Sequence, residues 1–197
     1  AKMLGAPLES YLEASHPVQK NILETVAACA DVPVPDIRIA VDGCGVPTFA
    51  LPMRNAALAL ARLLDPSPLP ERFRKPAAHV ARLMQENPYL IAGEGRLCTL
   101  LMEAGKERKM IAKAGAEGYY GAGFLDTRGK AEGLIVKISD GSKDDRARPF
   151  MALEALKELG VFSVTPPALM ALVPTDITNH AGRVVGKIVR CVSFSRS

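Results

Sequence analysis

The 197-residue sequence has no tryptophan, few aromatic residues and no long hydrophobic run. Aromatic residues make up 5% of the chain, so few side chains could stack on nucleic-acid bases. The net charge of +4 is spread over small basic clusters with acidic neighbours, which is typical of a solvated surface. No apolar run reaches the roughly 18 residues that a membrane helix needs. The composition therefore argues against nucleic-acid and membrane partners.

Cysteine is also scarce, and none of the four cysteines stands in a C-x-x-C pair. This spacing gives no signal for a zinc ribbon or a redox dithiol. Ala1–Gly5 contains no apolar stretch of the kind found in signal peptides, so we expect a cytoplasmic protein with free thiols. Cys44 and Cys98 lie among glycines and polar residues, which makes them the two candidates for a functional thiol.

The hydrophobic pattern predicts helices in the first half of the chain and antiparallel strands in the second. A helix begins at His16-Pro17 with Ile22, Val26 and Cys29 on its apolar face, and a capping box at Ser142–Asp145 begins a later helix. Further helices are predicted at 54–64, 75–86, 96–103 and 168–172, and strands at 37–41, 119–124, 134–138 and 184–192. This order predicts an α+β fold in which a helical layer packs on an antiparallel sheet. We expect a single domain over 1–197, with a helical half at about 1–110 and a sheet-rich half at about 111–197.

One polar stretch, from Asp42 to Pro52, directly follows the predicted strand at 37–41. Gly43 and Gly45 leave the backbone around Cys44 unhindered, so a ligand could approach this thiol closely. A buried thiol in a turn explains the same pattern, because free cysteine is among the most buried residue types. The residues alone leave both interpretations open.

A second stretch, Lys113-Ala114-Gly115, is predicted to open a strand. Penicillin-recognising enzymes carry a Lys-Thr-Gly triad on a strand that borders their active site, beside a Ser-x-x-Lys nucleophile. Here alanine replaces the central threonine, so the hydroxyl group of that triad is missing. The alternative is an ordinary surface lysine before a strand.

Several segments occur in the same order as in the bacterial L-asparaginase II family of the rhizobial type, which the chain resembles. They are His16–Gln19, Asp42–Phe49, Gly93–Thr99, Lys113–Gly118 and Asn179–Gly186. The resemblance extends over nearly the whole chain. It implies a fold similar to that of serine β-lactamases and glutaminases, and hydrolysis of the side-chain amide of L-asparagine to L-aspartate and ammonia.

The resemblance also implies roles for individual residues. Lys113 maps onto the family's strand lysine, which would tune the nucleophile or bind a substrate carboxylate. Cys44 maps onto a zinc ligand that acts together with a cysteine and a lysine from a Cys-Ser-Gly-Lys-His segment. The candidate substrate-binding residues are Asp42, Cys98, Gly115 and Glu117.

The sequence departs from the family pattern at the nucleophile, because no serine is followed by lysine three residues later. The Cys-Ser-Gly-Lys-His segment is absent as well. We therefore expect this chain to represent the C-terminal portion of an asparaginase, with an incomplete zinc ligand set. Its partners would be L-asparagine and either a second copy of the chain or the missing N-terminal half.

Two alternatives follow from the missing nucleophile. The chain could be an inactive, truncated relative that acts as a binding or self-associating module. It could also be a thiol hydrolase that uses Cys44 or Cys98 with His16 as the base, although Ser15-His16-Pro17 is equally well explained as a helix cap.

Overall fold

The computed structural model describes residues 1–141 and 146–191, which form helices and short antiparallel sheets. The α-helices in this part of the chain are α1 (Pro17–Ala30), α2 (Met53–Leu64), α3 (Glu71–Glu86), α4 (Pro88–Ala92), α5 (Leu97–Ala104) and α6 (Ala147–Glu158). The strands are β1 (Arg38–Val41), β2 (Pro47–Ala50), β3 (Ile111–Ala114), β4 (Tyr119–Leu125), β5 (Ala131–Lys137), β6 (Asp176–Thr178) and β7 (Val184–Lys187). Short 3-10 helices lie at Lys2–Leu4, Val34–Asp36, Lys106–Arg108 and Pro167–Leu172. This mixture confirms the predicted α+β class.

The strands form two separate hairpins, β1–β2 and β6–β7, and a three-stranded sheet in the order β3-β4-β5. The hydrophobic pattern does not predict strands β2 and β6, and the first hairpin places antiparallel structure in the half expected to be helical. The polar stretch after β1 folds back, so that Val41 pairs with Pro47 and Arg38 pairs with Ala50. Gly45, with φ of +83°, adopts the left-handed conformation that the turn requires.

One face of the three-stranded sheet is lined with glycine, and helix α2 lies directly on it. A Cβ atom at Gly133 would lie 1.9 Å from the carbonyl oxygen of Ala57, and one at Gly123 would lie 2.9 Å from that of Leu60. The α2 backbone therefore packs against the strand backbones without side chains between them.

The opposite face of the same sheet forms the hydrophobic core. Side chains alternate along a strand, so β4 points its glycines at α2 while Tyr120, Ala122 and Phe124 point the other way. These three residues are fully buried and pack in one cluster with Leu101 of α5 and Leu153 of α6. The sheet is thus enclosed between α2 and the pair α5 and α6.

Helix α1 begins where the sequence predicts but buries a different face. Pro17 occupies its first turn, and Ala27 and Ala30 are buried, whereas Ile22 is 40% exposed. The predicted apolar stripe was wrong in this respect, since small alanines let α1 approach α2 closely. The guanidinium group of Arg62 in α2 donates to the carbonyl oxygen of Ala28 at 2.9 Å and so satisfies the C-terminal end of α1.

Other boundaries also differ from prediction, and β5 begins at Ala131 rather than at 134. Helix α3 begins at Glu71 rather than at 75, so Pro76 lies inside the helix instead of in its first turn. Lys113 and Ala114 end strand β3 rather than opening a strand, and a tight turn follows. Strand β7 ends at Lys187, while the predicted strand reached 192, which lies outside the described residues.

The capping box at 142–145 also lies outside the described residues. The helix predicted to follow it is present as α6, and its Leu153 and Leu156 are buried. Across residues 1–141 and 146–191, every helix is too short or too polar to cross a lipid bilayer.

Candidate functional site

A pocket of about 330 Å³ lies at the C-terminal end of the edge strand β3. The end of α4, the start of α5 and the first turn of α6 form its other walls. Its lining residues are Ile91, Ala92, Arg96, Leu97, Cys98, Lys113, Ala114, Gly115 and Arg148. The pocket therefore brings together Lys113, Cys98 and Gly115, which the sequence resemblance marks as separate candidates.

Cys98 is held in this pocket by the backbone of β3. Its side chain is almost fully buried, and its sulfur accepts a hydrogen bond of 3.1 Å from the N–H group of Ala114. Ala114 is free to make this bond because the next residue, Gly115, continues the ladder to β4 by donating to the carbonyl oxygen of Tyr119. The N–H group of Ala114 consequently points away from β4, towards α5.

Two cationic side chains bond to the backbone at the same strand end. The Nζ atom of Lys113 donates to the carbonyl oxygen of Ala114 at 2.8 Å, and a guanidinium nitrogen of Arg148 donates to that of Gly115 at 3.0 Å. Arg96 is exposed at the mouth of the pocket. Three cations thus surround a space for a small molecule, and none of the described lining residues is acidic.

Tyr120 lies behind Cys98 and has no exposed surface. Burial raises the pKa of its hydroxyl group well above the ordinary value, and the neighbouring Cys98 raises it further, while Arg148 acts in the opposite direction. The hydroxyl group makes no hydrogen bond of normal geometry to the described residues. Tyr120 is therefore a neutral, buried wall behind the pocket.

The remaining candidates lie outside this pocket. Asp42 and Cys44 are exposed on the loop of the β1–β2 hairpin, with the Cys44 sulfur 3.7 Å from a carboxylate oxygen of Asp42. Glu117 adopts a left-handed conformation in the turn between β3 and β4, and Lys137 donates to its carbonyl oxygen. The proposed roles of these residues stay predictions.

Zinc would need more donors than the described residues bring together. A tetrahedral site takes four ligands, usually from cysteine and histidine. Cys44 and Asp42 offer two donors, and no group of three or more His, Cys, Asp or Glu side chains in residues 1–141 and 146–191 could hold a metal ion. These residues alone do not fit a complete zinc site.

His16 does not serve as a base for either thiol. It is buried, and both of its ring nitrogens are engaged at the start of α1. Nδ1 accepts from the N–H group of Val18 at 3.2 Å, and Nε2 donates to the carbonyl oxygen of Pro7 at 2.9 Å. The helix-cap interpretation of Ser15-His16-Pro17 is confirmed, and the thiol-hydrolase alternative loses its base.

Two of the three pocket cations, Arg96 and Arg148, are not predicted from the sequence. Arg96 stands inside the segment Gly93–Thr99, but nothing in that segment distinguishes it from a surface arginine. Arg148 offers a physical signal, because a cation in the first turn of a helix opposes the helix dipole and is unfavourable without another role.

Comparison with known proteins gives one positive result. A sequence model of the L-asparaginase II family matches residues 1–190. No curated protein sequence matches the chain.

Proposed function

Since this match spans nearly all of its residues, the chain belongs to the L-asparaginase II family, and we propose that it supplies the carboxylate-binding part of an L-asparagine amidohydrolase site. The reaction converts L-asparagine and water into L-aspartate and ammonia. The observation that carries the proposal is the pocket at the end of β3, where Lys113, Cys98 and Gly115 lie together with Arg96 and Arg148.

Lys113 has two possible roles, tuning the nucleophile or binding a substrate carboxylate. Its neighbours support the second role. Arg96 and Arg148 line the same pocket, and guanidinium groups match the planar geometry of a carboxylate. We assign the α-carboxylate of L-asparagine to Lys113 and Arg148 at the strand end, which leaves the side-chain amide beside Arg96 at the mouth of the pocket, where the nucleophile can approach it.

The nucleophile itself is proposed to be a serine outside these 197 residues. The sequence contains no Ser-x-x-Lys, and no serine is among the described residues that line the pocket. The serine oxygen attacks the amide carbon, the C–N bond breaks, and the nitrogen leaves as ammonia after taking up a proton. Water then attacks the resulting ester and releases L-aspartate and the free serine.

Other features of the proposal rest on coarser support. A single domain of the serine β-lactamase type agrees with the packing of α2 on one sheet face and of α5 and α6 on the other. A cytoplasmic location agrees with four free thiols. Zinc, if it binds, would take Cys44 as one ligand and its remaining donors from outside the described residues.

The proposal is tested by measuring ammonia release from L-asparagine. We expect none from the purified chain alone, with or without zinc, and activity when a polypeptide carrying the family's Ser-x-x-Lys segment is added. Lys113→Met should abolish that activity, whereas Lys106→Met, which removes an exposed lysine outside the pocket lining, should not. Activity from the chain alone, with its intact mass confirmed, would refute an external nucleophile and direct attention to Cys44 and Cys98.

A self-associating role is the second candidate, and exposed apolar side chains favour it. Met3 is fully exposed, Leu8 and Tyr11 are at least half exposed, and Val41 on β1 is 76% exposed. Exposed apolar groups commonly mark an association surface where they form one contiguous patch. Light scattering after gel filtration decides the matter, because a monomer at all concentrations would exclude this role.

A further inference from the structure

Among the residues that the structure describes, the charged side chains that line the pocket at the end of β3 are all cations. Arg96 makes no side-chain hydrogen bond or ion pair with the residues that the structure describes. Lys113 bonds only to the carbonyl oxygen of its neighbour Ala114, which carries no full charge. Arg148 adds a third cation at Gly115. Cations gathered in a concave site raise the local concentration of anions.

We propose that this pocket recognises small dicarboxylates through both of their carboxylate groups. It therefore binds L-aspartate, the product of the proposed reaction, more tightly than L-asparagine. The inference rests on the proposed function, because it assigns the substrate pocket to the same cations. Its consequence is inhibition of the reaction by its own product.

The pocket recognises the two carboxylate groups of the ligand without contacting the ammonium group of an amino acid. An ammonium group needs acceptors, and the carbonyl oxygens of Ala114 and Gly115 each accept from a cation, which repels a second positive charge. The carbonyl oxygen of Ala114 accepts from Lys113, that of Gly115 accepts from Arg148, and the Cys98 sulfur accepts a backbone N–H group. No described carboxylate lines the pocket. D-Aspartate and succinate should therefore bind about as well as L-aspartate.

The size of the site agrees with such ligands. Its volume of about 330 Å³ lies at the lower end of small-molecule pockets. Replacing the neutral amide of L-asparagine by a carboxylate adds charge-assisted hydrogen bonds to a guanidinium group. Because Arg96 and Lys113 are exposed to water, we expect the gain at its lower limit, about tenfold in Kd.

Isothermal titration calorimetry of the full chain at neutral pH tests the inference. The probes are L-aspartate, D-aspartate, succinate, L-asparagine and inorganic phosphate. We expect the three dicarboxylates to agree within about threefold and to bind about tenfold more tightly than L-asparagine. Arg96→Gln should weaken the dicarboxylates about tenfold with a smaller effect on L-asparagine, Lys113→Met should weaken both classes about tenfold, and Lys106→Met should change nothing. Circular dichroism confirms that each variant is folded.

Three results would overturn the inference: L-asparagine binding as tightly as succinate, a strong preference for L- over D-aspartate, or phosphate binding more tightly than succinate. Phosphate preference would identify a general anion site. The ammonia assay separates this inference from the proposed function. Dicarboxylate binding without amidase activity in the complemented assay would leave the inference standing and refute the function, and activity without the dicarboxylate preference would do the reverse.

Discussion

Replacing Gly133 by alanine should disrupt the packing of α2 on the central sheet. The added Cβ atom would lie 1.9 Å from the oxygen, 2.6 Å from the carbonyl carbon and 3.2 Å from the Cα atom of Ala57. All three are backbone atoms in the middle of a helix, so no side-chain rotation relieves the contact. Ordinary contact begins at about 3.4 Å, and α2 must therefore move away from β5.

This movement has a cost larger than that of ordinary overpacking. Overpacking a core typically costs about 1–3 kcal/mol. Here the displaced helix also loses contact with β4 and strains the bond from Arg62 to the end of α1. We expect the free energy of unfolding to fall by about 4 kcal/mol, a large part of the roughly 5–15 kcal/mol that is usual for a domain.

Urea denaturation followed by far-UV circular dichroism measures this difference, and a thermal scan should show a melting temperature lower by about 8–16 °C. Gly43→Ala is the matched control, since a Cβ atom added there would have nothing within 4 Å and the residue's φ is not left-handed. The control should stay within about 0.5 kcal/mol of the unmodified chain. A Gly133→Ala protein that unfolds within about 1 kcal/mol of the unmodified chain would refute this account of the sheet face.

Three further predictions concern single interactions. Tyr120→Phe removes a buried hydroxyl that makes no hydrogen bond of normal geometry to the described residues, so urea denaturation should show equal or up to about 1 kcal/mol higher stability, and a clear loss would contradict this. Arg62→Met leaves carbonyl groups at the end of α1 unsatisfied and should cost about 1–2 kcal/mol in the same assay. Arg72→Met breaks an exposed ion pair with Glu24 and a cation–π contact with Phe73, and it should cost less than about 1 kcal/mol. Asp126 accepts two backbone N–H groups of its own turn, which hold its pKa below its ordinary value. The stabilisation relative to Asp126→Asn should therefore be full at neutral pH and disappear as the pH falls through that lowered pKa, and a pH-independent difference would exclude this origin.

Local signals were sufficient for much of the fold. Helix α1 begins at the predicted cap because Pro17 and His16 act within one turn, and the β4–β5 hairpin follows from a turn between two apolar runs. Strands β2 and β6 escape prediction because each has only three or four residues and gains stability only from its partner strand. The prediction of the buried face of α1 was wrong because Ala27 and Ala30 are buried by contact with α2. The hydrophobic periodicity within α1 does not reveal this contact.

The candidate site was predictable only in part for the same reason. The resemblance points to Lys113, Cys98 and Gly115, and their meeting in one pocket depends on how α5 packs against the end of β3. Arg148 is contributed by α6, 33 residues after Gly115, and it lies outside the five short segments that carry the resemblance, although within the residues that the family model matches. Arg148 belongs to the site only because the first turn of α6 lies against Gly115, a contact that the sequence pattern does not predict.

The hydrogen bonds at the end of β3 also protect an open sheet edge. An unpaired edge strand can add a strand from another molecule and so begin aggregation. At this edge the N–H group of Ala114 is taken by Cys98, its carbonyl oxygen by Lys113, and the carbonyl oxygen of Gly115 by Arg148. The residues that form the pocket thus occupy the backbone positions that an incoming strand would need, and solubility and ligand binding are constrained by the same few side chains.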